Sequence, residues 1–66
     1  MQIVLNGENV EAKEGSSIAE LLTQLGISRE RIAVELNLDI VPRGKYDEQL
    51  LANGDRIEIV HFVGGG

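Results

Sequence analysis

Ser17-Ile18-Ala19-Glu20-Leu21-Leu22-Thr23-Gln24-Leu25-Gly26 decides the fold class of this chain. Ser17 and Glu20 have the S-x-x-E spacing of a capping box, in which each side chain satisfies the other residue's backbone N–H at a helix start. Ile18, Leu21, Leu22 and Leu25 fall at i, i+3, i+4 and i+7, which gathers them into one apolar stripe. Gly26 follows where a left-handed residue ends a helix. Two to three turns are too few to be stable alone, so this helix must lay its stripe on something else.

The flanking residues supply a sheet. Gln2-Ile3-Val4-Leu5 is a short β-type run, and Asn6-Gly7 then separates it from Asn9-Val10-Glu11-Ala12. Asn-Gly between such runs is a strong hairpin signal, so the two are expected to pair antiparallel, with Val10 and Ala12 on one face. After the helix, Ser28 to Arg31 reads as a polar connection with at most one helical turn. Ile32-Ala33-Val34-Glu35-Leu36 reads as a strand with Ile32, Val34 and Leu36 on one side. Asn37-Leu38-Asp39 turns it into a very short strand, Ile40-Val41, stopped by Pro42. Residues 43–48 read as loop or a brief helical turn, and Leu50 and Leu51 as plugs under the core. Asn53-Gly54-Asp55 launches the last strand, Arg56 to Phe62. The order β-β-α-β-(β)-β gives an α+β domain, a mixed sheet of four to five strands packed on one helix. Its helical crossover is expected to be right-handed if the first and third strands, or their neighbours, run parallel.

With 66 residues the chain holds one domain and a thin core. It has no cysteine, so disulfides and Cys-ligated zinc are excluded. Eleven acidic against six basic side chains give a net charge of -5, which argues against nucleic-acid binding. Met1-Gln2-Ile3 lacks the basic start of a signal peptide, and no apolar run approaches a membrane span, so a cytoplasmic location is expected, with no membrane partner.

Alternation along the last strand puts Ile57 and Ile59 toward the helix and Glu58, Val60 and Phe62 on the open face. An aliphatic–aromatic pair there, continuing into Val63, is a candidate docking surface: Val60, Phe62 and Val63. Gly64-Gly65-Gly66 comes next. Three extended residues reach roughly 10 Å, and without Cβ atoms they can thread a channel too narrow for other residues. The expectation is a domain over 1–63 and a flexible tail over 64–66, with Gly64 and Gly65 threaded into partner sites and another enzyme acting on the carboxylate of Gly66. The single histidine, His61, has no implied substrate beside it and reads as a strand-end residue. Arg43 and Tyr46 read equally well as partner contacts or, for Tyr46, as cover for the core edge. The acidic residues Glu8, Glu11, Glu14, Asp39, Asp47 and Glu48 are too dispersed for a metal site. No nucleophile–base pair is evident, and glycines that follow a strand without leading to a helix cannot form a phosphate loop.

Taken together, the Met1-Gln2-Ile3 start, the hairpin, the capped helix near residue 17, the turn at Gly54-Asp55 and the glycine end resemble the ubiquitin-like β-grasp fold. Within it, the chain resembles the sulfur carrier proteins of thiamine biosynthesis. Ser17-Ile18-Ala19-Glu20-Leu21-Leu22, Ala33-Val34-Glu35-Leu36-Asn37, Ile40-Val41-Pro42-Arg43, Gly54-Asp55-Arg56-Ile57-Glu58-Ile59-Val60 and Gly65-Gly66 carry the likeness along the whole length. The third glycine, Gly64, departs from the common two. The resemblance implies a carrier and not an enzyme, with no catalytic residue, metal or bound cofactor of its own. An adenylating partner similar to ubiquitin-activating enzymes (ThiF type) would use ATP and Mg²⁺ to convert the Gly66 carboxylate to an acyl-adenylate. A sulfur donor protein would displace AMP to leave a thiocarboxylate, and thiazole synthase (ThiG type) would accept the sulfur. Three alternatives keep the same frame: the small subunit of molybdopterin synthase, a ubiquitin-like protein modifier, and an interaction module with an inert tail.

Overall fold

The computed structural model describes residues 1–62. Val63, Gly64, Gly65 and Gly66, and with them the expected boundary between domain and tail, lie outside the described residues.

The helix α1 spans Ile18–Leu25 and is closed at both ends as its sequence dictates. The Glu20 N–H donates to Ser17 Oγ at 3.1 Å, and the Ser17 N–H donates to Glu20 Oε1 at 2.9 Å. Gly26 takes φ 70° and donates to the Thr23 carbonyl, while the Ile27 N–H reaches back to Leu22. These two bonds form a Schellman closure. Ile18, Leu21 and Leu22 are buried by the sheet, with Leu25 half-buried beside them.

Five strands make that sheet: β1 (Gln2–Leu5), β2 (Glu8–Glu11), β3 (Ile32–Leu36), β4 (Asp39–Val41) and β5 (Arg56–His61), in the order β2-β1-β5-β3-β4. The parallel pair is β1 with β5, and β3 runs antiparallel to β5. The first strand therefore has its parallel neighbour in the last strand and not in the third. The inner faces contribute Ile3, Ile32, Val34, Val41, Ile57 and Ile59 to the core, as alternation requires.

The polar connection from Ser28 to Arg31 contains no helical turn; it is a bend and turn, with Arg31 at φ 60°. One segment differs from the sequence reading. Leu51 is buried, but Leu50 is 60% exposed. Residues 50 and 51 run extended against the helix start: Leu50 bridges Ser17, and the Leu51 N–H donates to the Ser16 carbonyl at 2.8 Å. Successive side chains of an extended segment point to opposite sides, so only one of the two leucines can plug the core. Arg43–Lys45 is a single 3₁₀ turn, and it drops Tyr46 into the core, where it is 1% exposed. Tyr46 is thus a packing residue, covered further by the Arg29 guanidinium 5.5 Å from its ring centre.

Both β-hairpins close through two-residue loops with positive φ at each position, the geometry whose twist matches the strands. The first uses Asn6 (φ 48°) and Gly7 (φ 83°), and the second uses Asn37 (φ 50°) and Leu38 (φ 75°). Leucine in this region crowds its own Cβ against the backbone, and Leu38 is 83% exposed, so no packing offsets the strain. Replacing Leu38 by Gly should stabilise the fold by up to about 1 kcal/mol, read as a higher urea midpoint with unchanged slope. Leu21→Ala should cost about 2–5 kcal/mol, a large share of the stability of a chain this short, and chemical denaturation will show it as partial unfolding in buffer.

Candidate functional site

The candidate site is the end of β5 and the sheet face around it. Ile57 and Ile59 are buried at 0% and 6% exposure, while Val60 and Phe62 are 54% and 56% exposed. The strand reaches this point held on its β3 side: Ala33 lies opposite Val60, and the Phe62 N–H donates to the Arg31 carbonyl at 2.8 Å. Two exposed apolar side chains therefore stand on the open face at the last described residues before Val63. Val63 and the three glycines, named from sequence as docking, threading and reacting positions, lie outside the described residues.

The same face holds apolar side chains that the periodicity reading did not single out. Ile40 is 74% exposed because Val41, its neighbour in β4, turns inward. That signal was available in the sequence: alternation in a two-residue β-run sends one member outward. Leu38, at the hairpin tip, adds a fourth exposed apolar group.

Between these apolar groups sits an unusual charged pair. Glu35 and Glu58 are directly opposite one another on β3 and β5, and Ile40 lies opposite Glu35 on the other side. Both glutamates are half-buried, and neither makes an ion pair among the described residues. Arg56 shares this face two residues before Glu58 and is likewise without an ion pair there. Like charges directly opposite across a sheet are destabilising. The face thus combines exposed apolar groups with two opposed carboxylates, which suits a partner bringing apolar and basic groups.

Among the described residues, no group of three or more His, Asp or Glu side chains could hold a metal ion. His61 is exposed at the end of β5. One depression of the surface runs beside α1, lined by Ala19, Leu22, Thr23, Ile27, Arg29 and Asp47. Another borders the open face at Ile40, with Pro42, Lys45 and Glu48, and neither includes Val60 or Phe62. No helix among the described residues is long and apolar enough to cross a membrane.

Comparison with known proteins gives this arrangement a family. The sequence model of the ThiS family matches residues 3–66. The chain belongs to the ThiS family. It is 41% identical over 63 residues to the sulfur carrier protein ThiS of Bacillus subtilis, covering 94% of this chain and 96% of that protein. The crystal structure of the thiamine biosynthesis protein ThiS from Geobacter metallireducens superposes with a TM-score of 0.84 at 33% identity, each chain fully covered. The ubiquitin-like β-grasp expectation is met by that match and by the five-stranded mixed sheet on one helix. A thiazole synthase of Magnetococcus marinus is 47% identical over all 66 residues, but the chain spans only 20% of that protein's length. A ThiS-like segment thus occurs inside a protein named for thiazole synthesis.

The opposed glutamates yield a test. Glu58→Gln should stabilise the fold by about 0.2–1 kcal/mol at low ionic strength. The gain should shrink in about 1 M salt, where the screening length is only about 3 Å. Denaturant titrations at the two salt concentrations measure it.

Proposed function

We propose that this chain is the sulfur carrier for the thiazole ring of thiamine, with Gly66 as the residue that is loaded. The observation that carries the reading is the ThiS family match, which continues through the terminal glycines to residue 66. The exposed Val60 and Phe62, directly before that segment, supply the surface by which partners grip the carrier.

The chemistry fits a protein without catalytic side chains. A carboxylate is a poor electrophile, because its charge is delocalised and its leaving group would be oxide. A partner of the ThiF type uses ATP with Mg²⁺ to adenylate the Gly66 carboxylate, releasing pyrophosphate and making a mixed anhydride with a good leaving group. Sulfide-level sulfur from a donor protein attacks the carbonyl carbon; AMP departs with one former carboxylate oxygen and leaves a thiocarboxylate, itself a nucleophile. A thiazole synthase of the ThiG type accepts that sulfur; the joined thiazole synthase of Magnetococcus marinus supports this pairing. Each partner supplies its own charge stabilisation. The carrier supplies an unhindered carboxyl carbon on glycine, a thread of Gly64 and Gly65, and a rigid globule to be held.

Expression in a thiamine-synthesising host, followed by intact mass measurement, should show a fraction of the protein with one oxygen replaced by sulfur. Deletion of Gly65-Gly66 should abolish that fraction and leave the host dependent on added thiazole. Conjugates to lysines of many proteins, with no sulfur-bearing form, would sink the reading. Phe62→Ala should raise the KM for the carrier in adenylation by about 10-fold, as expected for loss of an aromatic anchor. Its thermal midpoint should stay within a few degrees of the parent's, since Phe62 lies outside the core.

A further inference from the structure

Strand β1 ends at Leu5, but β5 continues to His61, so the last part of β5 has lost its strand neighbour on that side. Asn6 fills the gap. The ladder between β1 and β5 runs Val4 N–H to the Asp55 carbonyl at 2.9 Å, then Asn6 N–H to the Ile57 carbonyl at 2.8 Å. The next bond should join the Asn6 carbonyl to the Ile59 N–H, but the hairpin turn has rotated that carbonyl away, with Asn6 at φ 48°. The side chain takes its place. Asn6 Oδ1 accepts from the Ile59 N–H at 2.8 Å, and Asn6 Nδ2 donates to the Ile59 carbonyl at 3.3 Å. One carboxamide thus behaves as an extra peptide group and adds a rung to the sheet at the residue immediately before Val60.

Asn37, the first residue of the other hairpin turn, braces the opposite end of β5 with one side-chain and one backbone bond. Its N–H donates to the Arg56 carbonyl at 2.8 Å, and its Oδ1 accepts from the Arg56 N–H at 3.0 Å. The two asparagines hold one strand at its two ends, and only Asn6 acts at the end bearing Val60 and Phe62.

We propose that Asn6 is a positioning residue for the carrier's partner surface: its side chain fixes Ile59 so that Val60 and Phe62 are presented in one orientation. This rests on the function proposed above. Without the clamp, residues 59–62 are held on the β3 side alone and behave as the edge of a sheet. A partner must then order them on binding, at a cost that appears in affinity. The chemical step, carried out by groups of the partner on Gly66, is untouched.

The test uses the full chain with two variants, Asn6→Gly and Asn37→Gly. Glycine accepts the positive φ of both turns, so each substitution removes a clamp and keeps its hairpin. The readouts are backbone amide exchange by NMR, and carrier-dependent ATP–pyrophosphate exchange by a ThiF-type adenylating enzyme. Asn6→Gly should lose protection at the Ile59 amide and raise the KM for the carrier by about 3- to 10-fold with kcat unchanged. Asn37→Gly should lose protection at Arg56 and show the parent KM. Asn6→Asp, which keeps the acceptor for the Ile59 N–H and sets a carboxylate oxygen against the Ile59 carbonyl, should fall between parent and Asn6→Gly. Equal KM changes in the two glycine variants would reduce both asparagines to structural braces and overturn the proposal, as would an unchanged KM in Asn6→Gly or full protection of its Ile59 amide. Failure of the parent chain to support pyrophosphate exchange would count against the proposed function itself, and the amide exchange would then decide the clamp alone.

Discussion

The fold depends on the pairing of β5 on both sides, parallel to β1 and antiparallel to β3. The last strand of the chain is therefore the middle strand of the sheet. Its inner residues, Ile57 and Ile59, meet the helix stripe of Ile18, Leu21 and Leu22, and without them neither half of the sheet has a neighbour. Such an arrangement closes only when the two ends of the sequence come together, and it pays loop-closure entropy before the contacts form. In return the strand that carries Val60 and leads to Phe62 has a neighbour on each side.

Much of this was legible in the sequence, because local rules decide it. The capping box, the stripe of Ile18, Leu21, Leu22 and Leu25, and the αL position of Gly26 each follow from two or three nearby residues. So do the Asn6-Gly7 hairpin and the alternation that buries Ile57 and Ile59 while exposing Val60 and Phe62. What was not legible concerns register and competition between neighbours. Periodicity alone places Glu35 and Glu58 on an open face but cannot place them opposite each other, since that depends on where β3 starts along β5. Leu50 and Leu51 look alike in composition, and only the bridge to Ser17 decides which one turns inward. Asn6 and Asn37 were read as turn formers, which they are. Their second role, as side-chain partners of the β5 backbone, needs a partner 53 and 19 residues away in the chain.

The open face also shows where this small domain departs from greatest stability. Opposed glutamates, a leucine with φ 75°, and four exposed apolar side chains lie on or beside β3, β4 and β5, while the helix side is closed by complementary caps and packing. Local conflicts of this kind concentrate where a surface serves something other than its own fold. They are small, each of order 1 kcal/mol or less, and so within what a chain of this length can carry.

On the function proposed above, the carrier must be gripped by one enzyme, released, and gripped by another, so its surface would not be tuned to either one alone. Very tight binding would slow release, since affinity among related complexes is set chiefly by dissociation. A face with a few apolar anchors around half-buried carboxylates suits this demand. The anchors supply affinity to any partner with a matching depression, and the carboxylates steer association with basic surfaces and penalise acidic ones. Threading of Gly64 and Gly65, as proposed, would add a second filter, open only to a partner with a narrow channel leading to its reactive centre. The globule would then select a class of partners and the glycines would select among them.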